Sequence, residues 1–196
     1  MKRIAVLVSG GGTNLQALID AQHASQIVNG EIVAVISSDP TAYALQRAAN
    51  AGIPGYVVAR KDYSSNQAMT LALVEQLKAL NIDLVVLAGF MTILTENFTS
   101  AYPNRILNVH PSLIPSFCGE GYYGLRVHEE ALKYGVKVTG ATVHFVNEIP
   151  DGGEIIAQKA VYIEDGDTPE ILQRRVMEQA EWILLPQAAE KVCAAL

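Results

Sequence analysis

Cysteine is nearly missing from this chain, with only Cys118 and Cys193 among 196 residues. Two cysteines so far apart give neither a disulfide framework nor the paired spacing of a zinc site. No metal is therefore expected, and a reducing cytoplasm is the expected compartment. Charge is also scarce, at 17% of residues, and the formal net charge of −6 argues against a general nucleic-acid surface. Anionic small-molecule substrates must then be held by local groups. Half of the residues are apolar, yet no apolar run approaches the ~18 to 20 residues of a membrane span. Met1, Lys2 and Arg3 followed by apolar residues 4–8 mimic the start of a secretory signal, but Ser9 and three glycines end the run, so a first strand is expected there. Repeats, linkers and low-complexity segments are absent as well. The length suits one domain, residues 1–196, able to bury a sizeable core.

What is present is an alternation of strand and helix signals. Residues 3–8 read as a buried strand, and a helix follows from Thr13 on which Leu15, Leu18 and Ile19 have helical spacing. Between them, Gly10, Gly11 and Gly12 let backbone N–H groups approach a ligand closely, and the positive end of the next helix favours an anion. A phosphate is the natural guest, and a turn that merely needs glycine is the alternative. Leu15 stands where a dinucleotide loop has its third glycine, and no P-loop lysine is present, which weakens NAD and ATP. Residues 31–37 and 55–59 read as strands on either side of a helix over 42–51 closed by Gly52, and Asp39 reads as a turn residue rather than a ribose ligand. Ser64 or Ser65 caps a helix running to about Leu80, with Met69, Leu73 and Leu77 on its core face. Residues 83–88 form a strand buried on both faces, and 92–103 a short connection.

The stretch 106–115, ILNVHPSLIP, organises the rest. Alternation puts Asn108 and His110 on one face of a strand, and Pro111 stops the strand where they emerge. An amide able to donate to an oxyanion beside an imidazole able to move protons is half of an acyl-transfer site. The same tripeptide also suits a strand end that bonds its own backbone. Residues 116–124 form a glycine- and tyrosine-rich loop, 125–134 a helix ended by Gly135, and 137–146 a strand with Thr142 and His144 on one face. His144 is equally a supporting site residue or a satisfied interior histidine. By itself, Asp151-Gly152-Gly153 is a hairpin turn before a strand over 154–163. Asp167-Thr168-Pro169-Glu170 starts a helix expected to run toward Pro186, on which Glu181 and Trp182 could face the site. Five or six βα units with a late antiparallel hairpin make a three-layer α/β/α sandwich with a Rossmann-like, mostly parallel sheet.

Taken together, the runs SGGGTNLQA at 9–17, LAGFM at 87–91, NVHPSLIP at 108–115, HFV at 144–146 and DGG at 151–153 resemble the folate-dependent glycinamide ribonucleotide formyltransferases of purine synthesis over nearly the whole chain. The resemblance implies a catalytic group of Asn108, His110 and Asp151, with Gly11, Gly12, Thr13 and Asn14 at the substrate phosphate and Glu181 at the ribose hydroxyls. It implies a folate site at Met91, Thr92, Ile93, Leu94, Asn108 and Val146, with Thr142 and His144 behind the catalytic group. The implied donor is 10-formyltetrahydrofolate, used without a metal. The implied partners are small molecules rather than nucleic acid or membrane, and a homodimer is left open. Residues 1–100 would be the phosphate-binding half and 101–196 the catalytic and folate-binding half. Asn108 and protonated His110 would stabilise the oxyanion, while Asp151 would orient His110 and favour its charged form. Many members carry arginines for the folate tail where this chain has Asn66 and Thr92, and Arg60 and Lys61 are possible substitutes. Other formyl-folate transferases and hydrolases share the Asn-x-His and Asp core but resemble only the middle of the chain. A bare nucleotide-binding module would leave Asn108, His110 and Asp151 without a role.

Overall fold

Alternating apolar residues of the first strand feed two separate cores. In the computed structural model, which describes residues 1–196, Ile4, Val6 and Val8 of β1 (Lys2–Val8) enter one buried cluster, and Ala5 and Leu7 enter another on the opposite face. Both faces of the sheet are therefore covered, as its near-continuous apolar strands require. The helices α1 (Thr13–His23), α2 (Tyr43–Asn50), α6 (Pro169–Val176) and α7 (Trp182–Ala195) supply side chains to the first cluster. The second is filled from α3 (Asn66–Ala79), whose Met69, Leu73 and Leu77 are fully buried, and by Phe98 of α4 (Glu96–Ala101).

One seven-stranded sheet runs through the chain, in the order β3-β2-β1-β4-β5-β6-β7. Here β2 is Gly30–Ser37, β3 Gly55–Val57, β4 Leu84–Leu87, β5 Ile106–His110, β6 Val138–Phe145 and β7 Ile155–Tyr162. Strands β1 to β5 are parallel, and β6 and β7 join antiparallel, which is the expected late hairpin. The chain leaves β1 toward β2 and β3, then returns to β4 and β5 on its other side. That reversal opens a crevice beyond the carboxyl ends of β1 and β4, where open α/β sheets bind ligands.

Several local expectations hold for the stated reasons. Ser65 caps α3 by accepting from the Ala68 N–H at 3.1 Å. Asp39 makes a tight turn, accepting from the Thr41 N–H at 2.8 Å. Helix α5 (Leu125–Tyr134) ends at Gly135 as read from sequence. Other expectations need correction. Residues 92–103 are not a plain connection, because α4 forms there and buries Phe98 and Thr99. Only three residues of 55–59 pair as a strand. Pro186 does not end the last helix. A π turn over Met177–Glu181 joins α6 to α7, and Pro186 lies inside α7, where it offers no N–H to the helix ladder.

Candidate active site

The crevice is a cleft of about 450 Å³ whose walls include residues 10–14 after β1, 88–91 after β4 and 108–111 at the end of β5. The glycine loop forms its floor. Gly12 has φ of +75° and precedes α1 without any side-chain cap, leaving the first N–H groups of that helix free for a ligand. A Cβ on Gly12 would also lie 2.7 Å from Ala44 Cβ, so glycine is required there for packing as well as for conformation. Gly11 is different, because a Cβ on it meets nothing within 4 Å. Gly11→Val should therefore narrow the space in front of these N–H groups without disturbing the fold. The expected result is an affinity for inorganic phosphate lowered roughly ten- to a hundredfold, checked by phosphate titration beside a melting curve.

Asn14 of α1 and Glu181 of the π turn meet, with the Asn14 amide donating to Glu181 Oε2 at 2.9 Å. Glu181 is only 5% exposed, and burial pushes its carboxyl up to about 7, opposed by the Asn14 hydrogen bond. Asn14 Oδ1 is buried and accepts nothing. Because the folded pKa lies above the ordinary 4.5, the folded state binds more protons between the two values. Stability should therefore fall as pH rises from about 4.5 to about 7 and level off above. Glu181→Gln should flatten that slope, as read from melting temperatures of both proteins across the window.

The other wall is built by β5 and β6. Their antiparallel register sets Asn108 opposite His144 and His110 opposite Thr142, so sheet pairing itself brings the four side chains together. Thr142 is fully buried and donates to the Ser112 carbonyl at 2.7 Å while accepting from the Ile114 N–H at 3.1 Å. It anchors the chain leaving β5. His144 Nδ1 donates to the Phe145 carbonyl at 2.8 Å, and Asn108 Nδ2 lies 3.3 Å from His144 Nε2. His144 is itself buried and does not line the cleft, but its Nε2 faces Asn108.

Asp151 completes the group. It lies in the loop between β6 and β7 with φ of +54°, and that loop, 146–154, is too long for the two-residue hairpin that Asp-Gly suggests. Gly153 has another reason to be glycine, since a Cβ there would lie 1.7 Å from the Phe145 carbonyl oxygen. Asp151 Oδ2 is 3.5 Å from His110 Nδ1, and Oδ1 is 3.6 Å from His144 Nε2. The Gly119 N–H donates to Oδ2 at 2.8 Å, tying in the glycine-rich loop. Burial raises the Asp151 carboxyl, but hydrogen bonding from His144, the His110 charge and the Gly119 N–H together hold it below its ordinary value. His110 Nε2 lies 2.8 Å from the Phe117 carbonyl. A carbonyl only accepts, so the proton of neutral His110 sits on Nε2 and the Nδ1 lone pair faces Asp151. Burial dominates His110 and lowers its pKa despite the opposing Asp151 charge.

Of the expected folate residues, Met91 lines the cleft, with 61% of its surface exposed. Thr92, Ile93 and Leu94 lie beyond its lining. Leu94 and Val146 pack with Phe90 against the second core, and Ile93 is exposed. Asn66 donates to the Ile93 carbonyl at 2.7 Å, so it pins this segment, while Arg60 is turned onto the Tyr63 carbonyl. Sequence reading missed His128, Gln173 and Met177, which line the cleft with Tyr122 and Tyr123. The spacing of 173, 177 and 181 by four was a readable signal for a shared helical face. A histidine inside a predicted helix carries none. His128 is 1% exposed, and burial, then His110, push its pKa down to about 4.

A phosphate-type loop at the switch point of a doubly wound sheet, facing an amide, two imidazoles and a carboxylate at the next strand end, defines a group-transfer enzyme of the α/β class. The chain belongs to the formyl transferase family, which matches residues 2–188. It is 47% identical over 179 residues to the phosphoribosylglycinamide formyltransferase of Haemophilus influenzae, covering 91% of this chain and 82% of that protein. It is 44% identical to the trifunctional purine biosynthetic protein adenosine-3 of Drosophila melanogaster over 92% of this chain, but spans only 13% of that longer protein. In structure it resembles glycinamide ribonucleotide transformylase 1 from Symbiobacterium toebii, with a TM-score of 0.93 and 44% identity over 100% of this chain and 89% of the other.

Proposed function

We propose that this chain transfers the formyl group of 10-formyltetrahydrofolate to the amine of 5′-phosphoribosylglycinamide, in de novo purine synthesis. The observation that carries the reading is the convergence of Asp151 on His110 and His144, at 3.5 and 3.6 Å, in the same cleft as the glycine loop. The phosphate sits on the N–H groups of Gly11, Gly12, Thr13 and Asn14. The ribose hydroxyls meet Glu181 and the unpartnered Asn14 Oδ1. This arrangement aims the glycinamide at β5, while the apolar segment at Met91, with Leu94 and Val146 behind it, receives the folate. Residues 1–100 thus supply the phosphate loop and 101–196 supply Asn108, His110 and Asp151, within one working domain.

In the reaction, a bond forms from the amine nitrogen to the formyl carbon, the bond from that carbon to the folate nitrogen breaks, and one proton passes between the two nitrogens. Asn108 donates to the oxygen that gains charge. Neutral His110 takes the amine proton on Nδ1, and Asp151 stabilises the imidazolium so formed before the proton moves on to the leaving nitrogen. A cytoplasmic enzyme acting on small molecules, without nucleic acid or membrane, accords with this chemistry. Purified protein given both substrates should consume formyl-folate with stoichiometric appearance of formylated ribonucleotide. Hydrolysis of the donor independent of the ribonucleotide would instead sink the transferase reading.

A further inference from the structure

Helix α2 grips the glycine loop from the side away from the cleft. The Ala44 N–H donates to the Gly10 carbonyl at 3.0 Å, and Arg47 Nε donates to the Gly11 carbonyl at 2.8 Å. The same guanidinium donates through Nη1 to Gln16 Oε1 of α1 at 3.1 Å and lies 5.0 Å from the centre of the Tyr43 ring. Its fork is therefore held at three points. Both peptides concerned are trans, and in a trans peptide the carbonyl and the following N–H point in opposite directions. Holding the Gly10 and Gly11 carbonyls against α2 turns the Gly11 and Gly12 N–H groups the other way, into the cleft. Neither N–H donates to anything within the chain. Arg47 itself is not among the residues that line the cleft.

On the footing of the phosphate reading above, we propose that Arg47 is a positioning residue for the ribonucleotide phosphate, acting by orienting the Gly11–Gly12 peptide rather than by touching the substrate. A lysine would keep the positive charge but lose the planar fork that reaches Gly11, Gln16 and Tyr43 together. Charge and orientation can therefore be separated. Arg47→Lys and Arg47→Gln should both raise the KM for the ribonucleotide about tenfold, with kcat and the KM for the formyl donor nearly unchanged. Titrating inorganic phosphate into isotope-labelled protein should shift the Gly11 and Gly12 amide resonances, and in both variants the same shift should need about ten times more phosphate.

Arg47→Lys matching the parent in KM and in phosphate titration would assign Arg47 to charge alone and overturn the proposal. A fall in kcat, or in apparent affinity for both substrates alike, would mean that Arg47 only holds the fold together, and would also overturn it. If inorganic phosphate leaves the Gly11 and Gly12 amides of the parent unmoved, the phosphate reading itself fails, and this role for Arg47 fails with it.

Discussion

Asp151→Asn should fold and bind both substrates yet turn over roughly 10²- to 10⁴-fold more slowly. Folding should survive because asparagine tolerates the left-handed backbone that Asp151 adopts, and its carbonyl oxygen can still accept from the Gly119 N–H. What is lost is the charge 3.5 Å from His110 Nδ1. Burial already holds His110 below the ordinary histidine range, and Asp151 is the main counterweight. Without it the ring becomes a poorer acceptor for the amine proton, and the imidazolium that must form has no counter-charge. The His110 resonance should therefore titrate at lower pH in the variant than in the parent. Full turnover with an unmoved His110 titration would reduce Asp151 to a loop residue.

The second large effect is expected at the strand end. Asn108→Ala removes an oxyanion donor and should lower kcat by roughly 10²-fold or more with little change in either KM, and His110→Ala should be at least as damaging. The structure adds a condition that the sequence did not contain. Asn108 also faces His144 at 3.3 Å, so its truncation frees that imidazole to move against Asp151. Asn108→Ala combined with Asp151→Asn should consequently lose less than the product of the two single effects. Near-normal turnover by Asn108→Ala or His110→Ala would return that residue to a structural role.

Period and punctuation made most of the sheet legible. The run at 83–88 was apolar enough to demand burial on both faces, those at 3–8 and 106–110 read as strands, and the late strands carried their own turn signals. Helix α5 was bounded by Gly124 and Gly135 and fell where expected. Asn108 and His110 were visible from alternation alone. Asp151 was not, because Asp-Gly looks the same in a tight hairpin and in a nine-residue loop that carries a carboxylate back to β5. Only resemblance lifted it into the site. The burial that lowers the His110 pKa was illegible for a different reason. It depends on how much water the fold removes, and no short motif reports that. His128 shared that fate, being buried by the meeting of elements distant in sequence.

The π turn before α7 sets the rotational phase of everything after it. Leu172 and Val176 fix the buried stripe of α6, while Leu184, Leu185, Ala188, Ala189 and Val192 fix that of α7. The five residues Met177–Glu181 absorb the mismatch between the two stripes, and Glu181 is the last of them. An α-helix advances about 100° per residue. Removing one residue from 177–180 would let a regular helix run through, but Glu181 and the α7 stripe could then no longer both keep their bearings relative to α6. The Asn14–Glu181 hydrogen bond in the cleft and the packing of the last helix are thus geared together, and a length change of one residue there would be felt in the cleft before it was felt in the core.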